Sequence, residues 1–217
     1  MNDKKKIITA LVSLLVIAGT WSWIYFGHIK SPKTVERLHR EVGRVLANET
    51  AKLLNGKGEI VVVTIDSPRS PELKFQLETF EQTLATNGSI KINKTDFLET
   101  KDQPKYRTGG GLSANRFLRI MKKAEAGKAA AVVSLVGAPH LSDDEMAQLS
   151  DQRPKFIAES MTTDKLQPLL EKDILQLAIV GRFEFPAPVR KPKTPQQWFE
   201  NRYQIVTGKA AQLPADQ

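Results

Sequence analysis

Apolar and polar positions along the middle of the chain form blocks that predict strands and helices in alternation. Apolar runs rich in β-branched residues predict five strands, at Glu59–Asp66, Ser89–Asp96, Ala129–Gly137, Pro154–Ser160 and Ile174–Gly181. The interior of the first run has no polar alternation, as expected for a strand buried on both faces.

Helical segments separate the predicted strands. They begin at capping residues or end at glycine, and lie over 70–88, 113–127, around 142–145 and over 163–171. Strands and helices in this alternation predict one α/β domain with a single doubly wound, mainly parallel five-stranded sheet.

The N-terminal part of the chain has a different pattern. No charged residue occurs from Ile7 to Phe26, and a helix of that length, at about 1.5 Å per residue, spans a hydrocarbon core of about 30 Å. We predict an uncleaved transmembrane anchor that contacts the lipid bilayer; a cleaved signal peptide with a site near Val16–Ala18 is the alternative. The lysines before the run favour a bacterial inner membrane protein whose domain is extracytoplasmic.

Two further helices are predicted on either side of the domain. One, over 31–56, has an apolar face that packs on the domain or pairs with a second copy. The other follows four prolines and a capping box at Thr194–Gln197, and carries Trp198, Phe199 and Tyr203. These aromatic residues either cover their own domain or dock into a partner's groove.

The expected organisation is therefore linear. It comprises a cytoplasmic tail over 1–6, a transmembrane signal anchor over 7–26, a juxtamembrane amphipathic helix over 31–56, the α/β domain over 57–185, a proline-rich linker over 186–194, and an aromatic helix and tail over 195–217.

The composition of the chain excludes several kinds of functional site. The chain has 217 residues, 41% of them apolar, and no cysteine, which excludes a disulfide scaffold, cysteine-ligated metal and a thiol nucleophile. The formal net charge is +8, but residues 1–30 contain four lysines and one aspartate, so the remainder carries only +5. Nucleic acid is therefore not an expected partner.

Polar residues follow the predicted strands, where parallel sheets bind ligands. The candidate ligand-binding residues are Asp66, Ser67, Asp96, Gly109, Gly110, Gly111, His140 and Ser160. The three glycines precede a helix N-terminus that is suited to an anion. Turn formation and helix capping explain the same residue types, and a flexible linker explains the glycines.

The sequence contains no pattern typical of catalysis or of a cofactor. His140 lies beside the acidic residues of a capping box, and no second histidine is near it in sequence, so no metal is expected. No nucleophile elbow occurs, and Ser134 lies within a predicted strand, where its hydroxyl would be buried. We expect neither an enzyme nor a cofactor.

The domain resembles the first lobe of type I periplasmic binding proteins, the sugar-receptor and LacI-like group, whose sheet is flavodoxin-like. The resemblance rests on Glu59–Asp66 with the Ser-Pro-Arg-Ser-Pro turn after it, on Ala130–Pro139, and on Pro154–Ser160. It implies the fold of one lobe. The second lobe is missing, and Ser67–Ser70 stands where such receptors have an aromatic residue, so ligand capture between lobes would need a second subunit.

Two functions of different classes remain. The first is a non-enzymatic extracytoplasmic domain that binds envelope proteins or a second copy of itself in an assembly. The alternative is a membrane-tethered receptor for a small, sugar-like molecule, completed by dimerisation. An enzyme that uses the polar residues after the strands ranks third.

Overall fold

A computed structural model of the chain describes residues 3–24, 33–65, 70–98, 112–160, 166–182 and 192–208. The strands are β1 (Lys57–Thr64), β2 (Ser89–Phe97), β3 (Ala131–Ser134), β4 (Lys155–Ser160), β5 (Leu175–Gly181) and β6 (Tyr203–Thr207). The helices are α1 (Asp3–Ile24), α2 (Lys33–Leu53), α3 (Pro71–Thr86), α4 (Ala114–Ala126), α5 (Asp143–Met146), α6 (Gln167–Glu171) and α7 (Pro195–Arg202).

The six strands form one mixed sheet in the order β2-β1-β3-β4-β5-β6. All neighbouring pairs are parallel except β5 and β6, which are antiparallel. The five predicted strands are present within a few residues of their expected bounds. The chain passes from β1 to β2 on one side and returns to β3 on the other, so the sheet is doubly wound with its switch point between β1 and β3.

The sixth strand corrects the sequence-based prediction. A helix that includes Tyr203, followed by a tail, was expected over 195–217, but α7 ends at Arg202, and Tyr203 already has extended backbone angles (φ −133°, ψ 156°). Tyr203–Thr207 is rich in aromatic and β-branched residues, and it pairs with β5, which would otherwise be an unpaired edge. Tyr203 and Val206 therefore pack against opposite faces of the sheet rather than along one helix face.

Apolar side chains cover the sheet on both faces. On one face, α4 and α6 contribute Phe117, Ile120, Met121, Leu169 and Leu170, which pack with the inner residues of the strands. On the other face, α2, α3 and α7 contribute Val42, Leu46, Phe80, Leu84 and Phe199. The helix predicted to follow the membrane segment thus packs on the sheet, which was one of its two alternatives.

A glycine in α2 permits the closest contact between α2 and α3. A Cβ atom at Gly43 would clash with the backbone carbonyl oxygen of Gln76. At the same interface, Arg40 lies 5.0 Å from the ring centroid of Phe75 and 3.3 Å from a carboxylate oxygen of Glu78. The two helices are therefore held together by backbone proximity as well as by side-chain contacts.

The N-terminal helix belongs to a separate compact unit, Met1–Glu36. Large apolar side chains in its described part are exposed, among them Leu14, Leu15 and Trp21. No helix in the described ranges is both long enough and apolar enough to cross a membrane. The transmembrane segment predicted over residues 7–26 is therefore not confirmed, and residues 25–30 lie outside the described part.

We predict that Gly43→Ala destabilises the protein. Alanine normally stabilises a helix interior by about 1 kcal/mol relative to glycine, but here its methyl group collides with the α3 backbone, so we expect a net loss of about 1–3 kcal/mol. Urea unfolding of the variant and the wild type measures this difference in the free energy of unfolding. Gly19→Ala in α1 is the control, because a Cβ atom there meets nothing within 4 Å. Equal effects of the two variants would contradict the close contact.

We also predict that Phe199→Ala lowers the free energy of unfolding by about 3 kcal/mol, because the ring is buried in the core. The adjacent Trp198 is half-buried and lies 5.5 Å from the Arg202 guanidinium, so Trp198→Ala should cost about 1 kcal/mol. Urea unfolding of both variants tests this order, and a reversed order would show that α7 does not pack as described.

Candidate functional site

The carboxyl ends of β1 to β5 lie at one edge of the sheet because these strands are parallel. This edge carries three of the predicted ligand-binding residues, Asp96, His140 and Ser160, at or beyond the ends of β2, β3 and β4. Asp66, Ser67 and the glycines 109–111 lie outside the described residues. We call the described part of this region the carboxyl edge.

A half-buried ion pair lies at this edge. Asp96 is the penultimate residue of β2, and Arg116 is in the first turn of α4; their Oδ1 and Nη2 atoms are 2.7 Å apart. The side chains are only 17% and 21% exposed. The Nε atom of Arg116 is buried without a hydrogen-bond partner. The pair therefore places a carboxylate and a guanidinium side by side, and the partly exposed portions of these groups can accept from and donate to a polar ligand.

The last residue of β1 adds a second unused polar atom. Thr64 is buried, and its Oγ1 atom has no hydrogen-bond partner. Its backbone oxygen accepts a hydrogen bond from the amide of Leu98, at 2.8 Å, which ties the ends of β1 and β2 together. Thr64 shares its side of β1 with Ile60 and Val62, so its side chain lies on the face of the sheet covered by α2 and α3, opposite the Asp96–Arg116 pair.

The end of β3 is shaped by Ser134. Its hydroxyl donates to the carbonyl oxygen of Gly137 at 2.7 Å and accepts from the amide of Val136 at 3.4 Å. The serine is buried, as predicted, and its hydroxyl is used in forming the turn. The chain then reaches the exposed His140. Ser160, at the end of β4, is buried.

The acidic residues after His140 have structural roles. Ser142 and Glu145 form the predicted capping box of α5. Asp143 accepts a hydrogen bond from Lys172 at 2.7 Å, and the lysine lowers the pKa of that carboxyl through this bond and its charge. Within the described ranges, histidine and carboxylate side chains form no cluster of three or more that could hold a metal.

A second polar cluster lies on the opposite face of the sheet, beneath α2 and α3. Gln76 Nε2 donates to Glu159 Oε1 and lies close to His39 Nδ1, both at 3.1 Å. Burial raises the pKa of Glu159 to about 7, although the bond from Gln76 opposes the shift. Burial also lowers the pKa of His39, and burial with the nearby Glu159 raises the pKa of Tyr203 to about 12.

The predicted partner-binding aromatics are not equally accessible. Phe199 is buried, and its ring stacks on Tyr203 with centroids 5.5 Å apart. Tyr203 and Trp198 are half-buried. Phe199 therefore covers its own domain, which was one of the two alternatives for this aromatic segment. A role for Trp198 or Tyr203 in partner binding stays a prediction.

An open groove of about 820 Å³ lies between α2, α7 and β6, toward the amino ends of β1 and β2. Many of its polar residues pair with one another or with adjacent side chains. The amides of Asn48 and Asn87 are 2.5 Å apart, Lys52 contacts Glu49 at 2.5 Å, and Arg44 contacts Glu41. The groove is thus distant from the carboxyl edge, and these polar groups satisfy one another.

Sequence reasoning missed four polar residues of the two sites: Arg116, Thr64, Gln76 and Glu159. Arg116 had no distinguishing pattern, because a basic residue in an amphipathic helix is usually solvated. Glu159 did have a signal, since it is an acidic residue inside a predicted buried strand. Such a residue needs a partner, and the sequence does not show which one.

No protein-family model matches this chain, and no curated protein matches it by sequence. Solved structures do match its fold. One is a solute-binding protein of an ABC transporter from Burkholderia graminis, in complex with D-arabinose, with a TM-score of 0.55 and 13% identity over 82% of this chain. An arabinose-binding protein from Geobacillus stearothermophilus has a TM-score of 0.52 and 14% identity over 79% of this chain.

A third structure is a carbohydrate transporter solute-binding protein from Agrobacterium radiobacter, in complex with D-arabinose, with a TM-score of 0.53 and 13% identity over 81% of this chain. The chain spans 61–62% of the length of these three proteins. The likeness establishes a fold similar to that of periplasmic binding proteins, as the sequence resemblance implied.

We predict that Thr64→Val leaves the stability unchanged or raises the free energy of unfolding by up to about 1 kcal/mol, because it removes a buried hydroxyl without a partner. Thr50→Val is the matched control. That hydroxyl is also buried, but it donates to the Leu46 carbonyl oxygen at 2.7 Å, so its loss should cost about 0.5–1 kcal/mol. Chemical denaturation compares them, and an equal loss in both would show that the Thr64 hydroxyl is engaged.

Proposed function

We propose that this protein is a non-enzymatic receptor that binds a small, sugar-like molecule at the carboxyl edge of its sheet. The observation that carries the proposal is the half-buried Asp96–Arg116 pair at the carboxyl edge, in a fold similar to that of solute-binding proteins. Each sugar hydroxyl both donates and accepts a hydrogen bond. A carboxylate and a guanidinium together offer both kinds of partner.

Charge-assisted hydrogen bonds to a neutral ligand are strong where water is excluded. Asp96 and Arg116 are mostly buried, so their positions are held by the surrounding packing before a ligand arrives. This pre-organisation reduces the entropy lost on binding. The proposed roles are acceptor for Asp96 and donor for Arg116.

A cleft that encloses the ligand needs more surface than one edge of a sheet provides. We propose that a second copy of the chain supplies the opposite wall of such a cleft. Dimerisation in the presence of sugar, measured by light scattering, is the corresponding expectation.

The assembly function considered from the sequence has less support. It relied on a free aromatic helix, whereas Phe199 is buried in its own domain and the helix ends at Arg202. An extracytoplasmic location, with residues 7–26 in the inner membrane, stays a prediction. Protease accessibility of the domain in intact cells, compared with lysed cells, tests that location.

We predict that a panel of pentoses and hexoses that includes D-arabinose contains at least one sugar that raises the thermal unfolding temperature. A ligand at 100 times its Kd stabilises the native state by about 2.7 kcal/mol. Asp96→Asn and Arg116→Gln should each weaken binding by tenfold or more, measured by isothermal titration calorimetry, because each removes a charged hydrogen-bond partner.

Lys172→Gln is the control, since it breaks the exposed ion pair with Asp143 and leaves Asp96 and Arg116 in place. Each variant is first unfolded in urea, so that loss of binding is separated from loss of structure. The absence of any stabilising sugar, or full affinity in both folded variants, would overturn the proposal.

A further inference from the structure

We propose that Glu159 and Gln76 form an acid–amide pair that holds one proton inside the domain, and that this pair is a pH-sensitive connection between β4 and α3. The inference rests on four polar atoms of two side chains. It is independent of the proposed sugar site, because the pair faces α2 and α3 whereas the Asp96–Arg116 pair is formed with α4.

The Glu159 carboxyl and the Gln76 amide share one hydrogen bond, and each has one further oxygen without a partner. One bond is present, from Gln76 Nε2 to Glu159 Oε1 at 3.1 Å. The other atoms of the same two groups, Glu159 Oε2 and Gln76 Oε1, are both buried and both lack a partner. An ionised carboxylate and an amide oxygen are both acceptors, so neither can satisfy the other.

A single proton on Glu159 Oε2 supplies the donor that these two oxygens lack. The carboxylic acid becomes a donor, and the amide oxygen of Gln76 is the unused acceptor on the group already bonded to it. The amide then donates to the acid while the acid donates to the amide. One proton thereby removes two unsatisfied buried acceptors, and a buried acceptor without a partner destabilises the folded state.

Burial and the Glu72 carboxylate favour the neutral acid, and the other described groups that face the pair add no ion-pair partner for Glu159. From α2, His39 faces the pair through Nδ1, and burial lowers the pKa of this histidine, which keeps it neutral. From α3, the Glu72 carboxylate repels a negative charge on Glu159. From β6, the Tyr203 phenol carries no positive charge. From α7, the Arg202 guanidinium lowers the pKa of this phenol.

Within the described part of the chain, no lysine or arginine forms an ion pair with Glu159. The charge that would form on deprotonation therefore has no compensation beyond the one bond from Gln76. Burial accordingly raises the pKa of Glu159 from 4.5 to about 7. The proton is thus retained in mildly acidic solution and lost above neutrality.

The sign of the effect on stability follows from this direction. The folded state binds the proton more tightly than the unfolded state, so the free energy of unfolding falls as the pH rises from 4.5 to about 7. Above this range the folded protein carries a buried carboxylate opposite the Gln76 oxygen, and the packing of α3 on β4 is weakened. The connection therefore loosens at neutral to alkaline pH.

The test uses the full chain and compares wild type with Glu159→Gln. Glutamine at this position retains the planar shape and can donate to Gln76 Oε1 at every pH. We expect the folding equilibrium constant of the wild type to fall at least tenfold between pH 5 and pH 8.5. We expect the variant to lose most of this dependence and to be more stable than the wild type at pH 8.5.

Glu200→Gln is the matched control, because Glu200 is exposed on α7 and its loss should leave the wild-type pH dependence intact. His39 also changes its protonation in the wild type, so the difference between the two glutamine variants is the decisive quantity. Equal pH dependence in Glu159→Gln and Glu200→Gln would overturn the proposal.

Infrared spectroscopy of the wild type provides a measurement that does not depend on folding of the variant. A protonated carboxylic acid has a carbonyl stretching band that a carboxylate lacks. We expect this band at pH 6 and its loss as the pH rises through about 7. Its absence at pH 6, where ordinary glutamates are ionised, would show that Glu159 is charged and would refute the acid–amide pair.

Discussion

The parallel pairing of β1 with β2 on one side and with β3 on the other is the constraint on which the rest of the domain depends. A strand in this position has helices over both faces, so its side chains must be apolar on both. Ile60 and Val62 accordingly pack toward α2 and α3, while Val61 and Val63 pack toward α4. Two separate helical layers follow from this requirement, and neither layer alone would bury the sheet.

The same pairing determines where polar chemistry is possible. Parallel strands bring their carboxyl ends to one edge, where the chain leaves the apolar layers and polar side chains are tolerated. Asp96 and Arg116 meet there although they belong to β2 and α4. A half-buried ion pair of this kind is costly if one partner is removed, because the other charge is then left without compensation. Its burial distinguishes it from an ordinary surface pair, since the two side chains are only 17% and 21% exposed.

The buried polar groups on the other face show how packing sets protonation. Glu159 occupies an inner position of β4 beneath α2 and α3, where burial penalises its charged form. Gly43 allows α2 to approach the α3 backbone at Gln76, the residue that contacts both Glu159 and His39. Close helix packing and the acid–amide arrangement are therefore parts of one interface. A change in the approach of α2 to α3 should alter the hydrogen bond between Gln76 and Glu159.

The sequence by itself determined the features that depend on neighbours within about four residues. The first five strands, the helices between them and the capping boxes at Ser142 and Thr194 are of this kind, because apolar periodicity and helix capping are local. The doubly wound topology followed from their order and from the handedness of crossovers. Asp96 was also found in this way, since it ends a predicted strand.

Only the tertiary structure decided what joins residues distant along the chain. Tyr203–Thr207 became a strand because the free edge of β5 was available to it, and an isolated five-residue segment contains no information about that edge. Arg116, Gln76 and Glu159 gained their roles from partners 20 or 83 residues away. A side chain's charge and exposure are set by the groups packed around it, and those groups are brought together only by the fold.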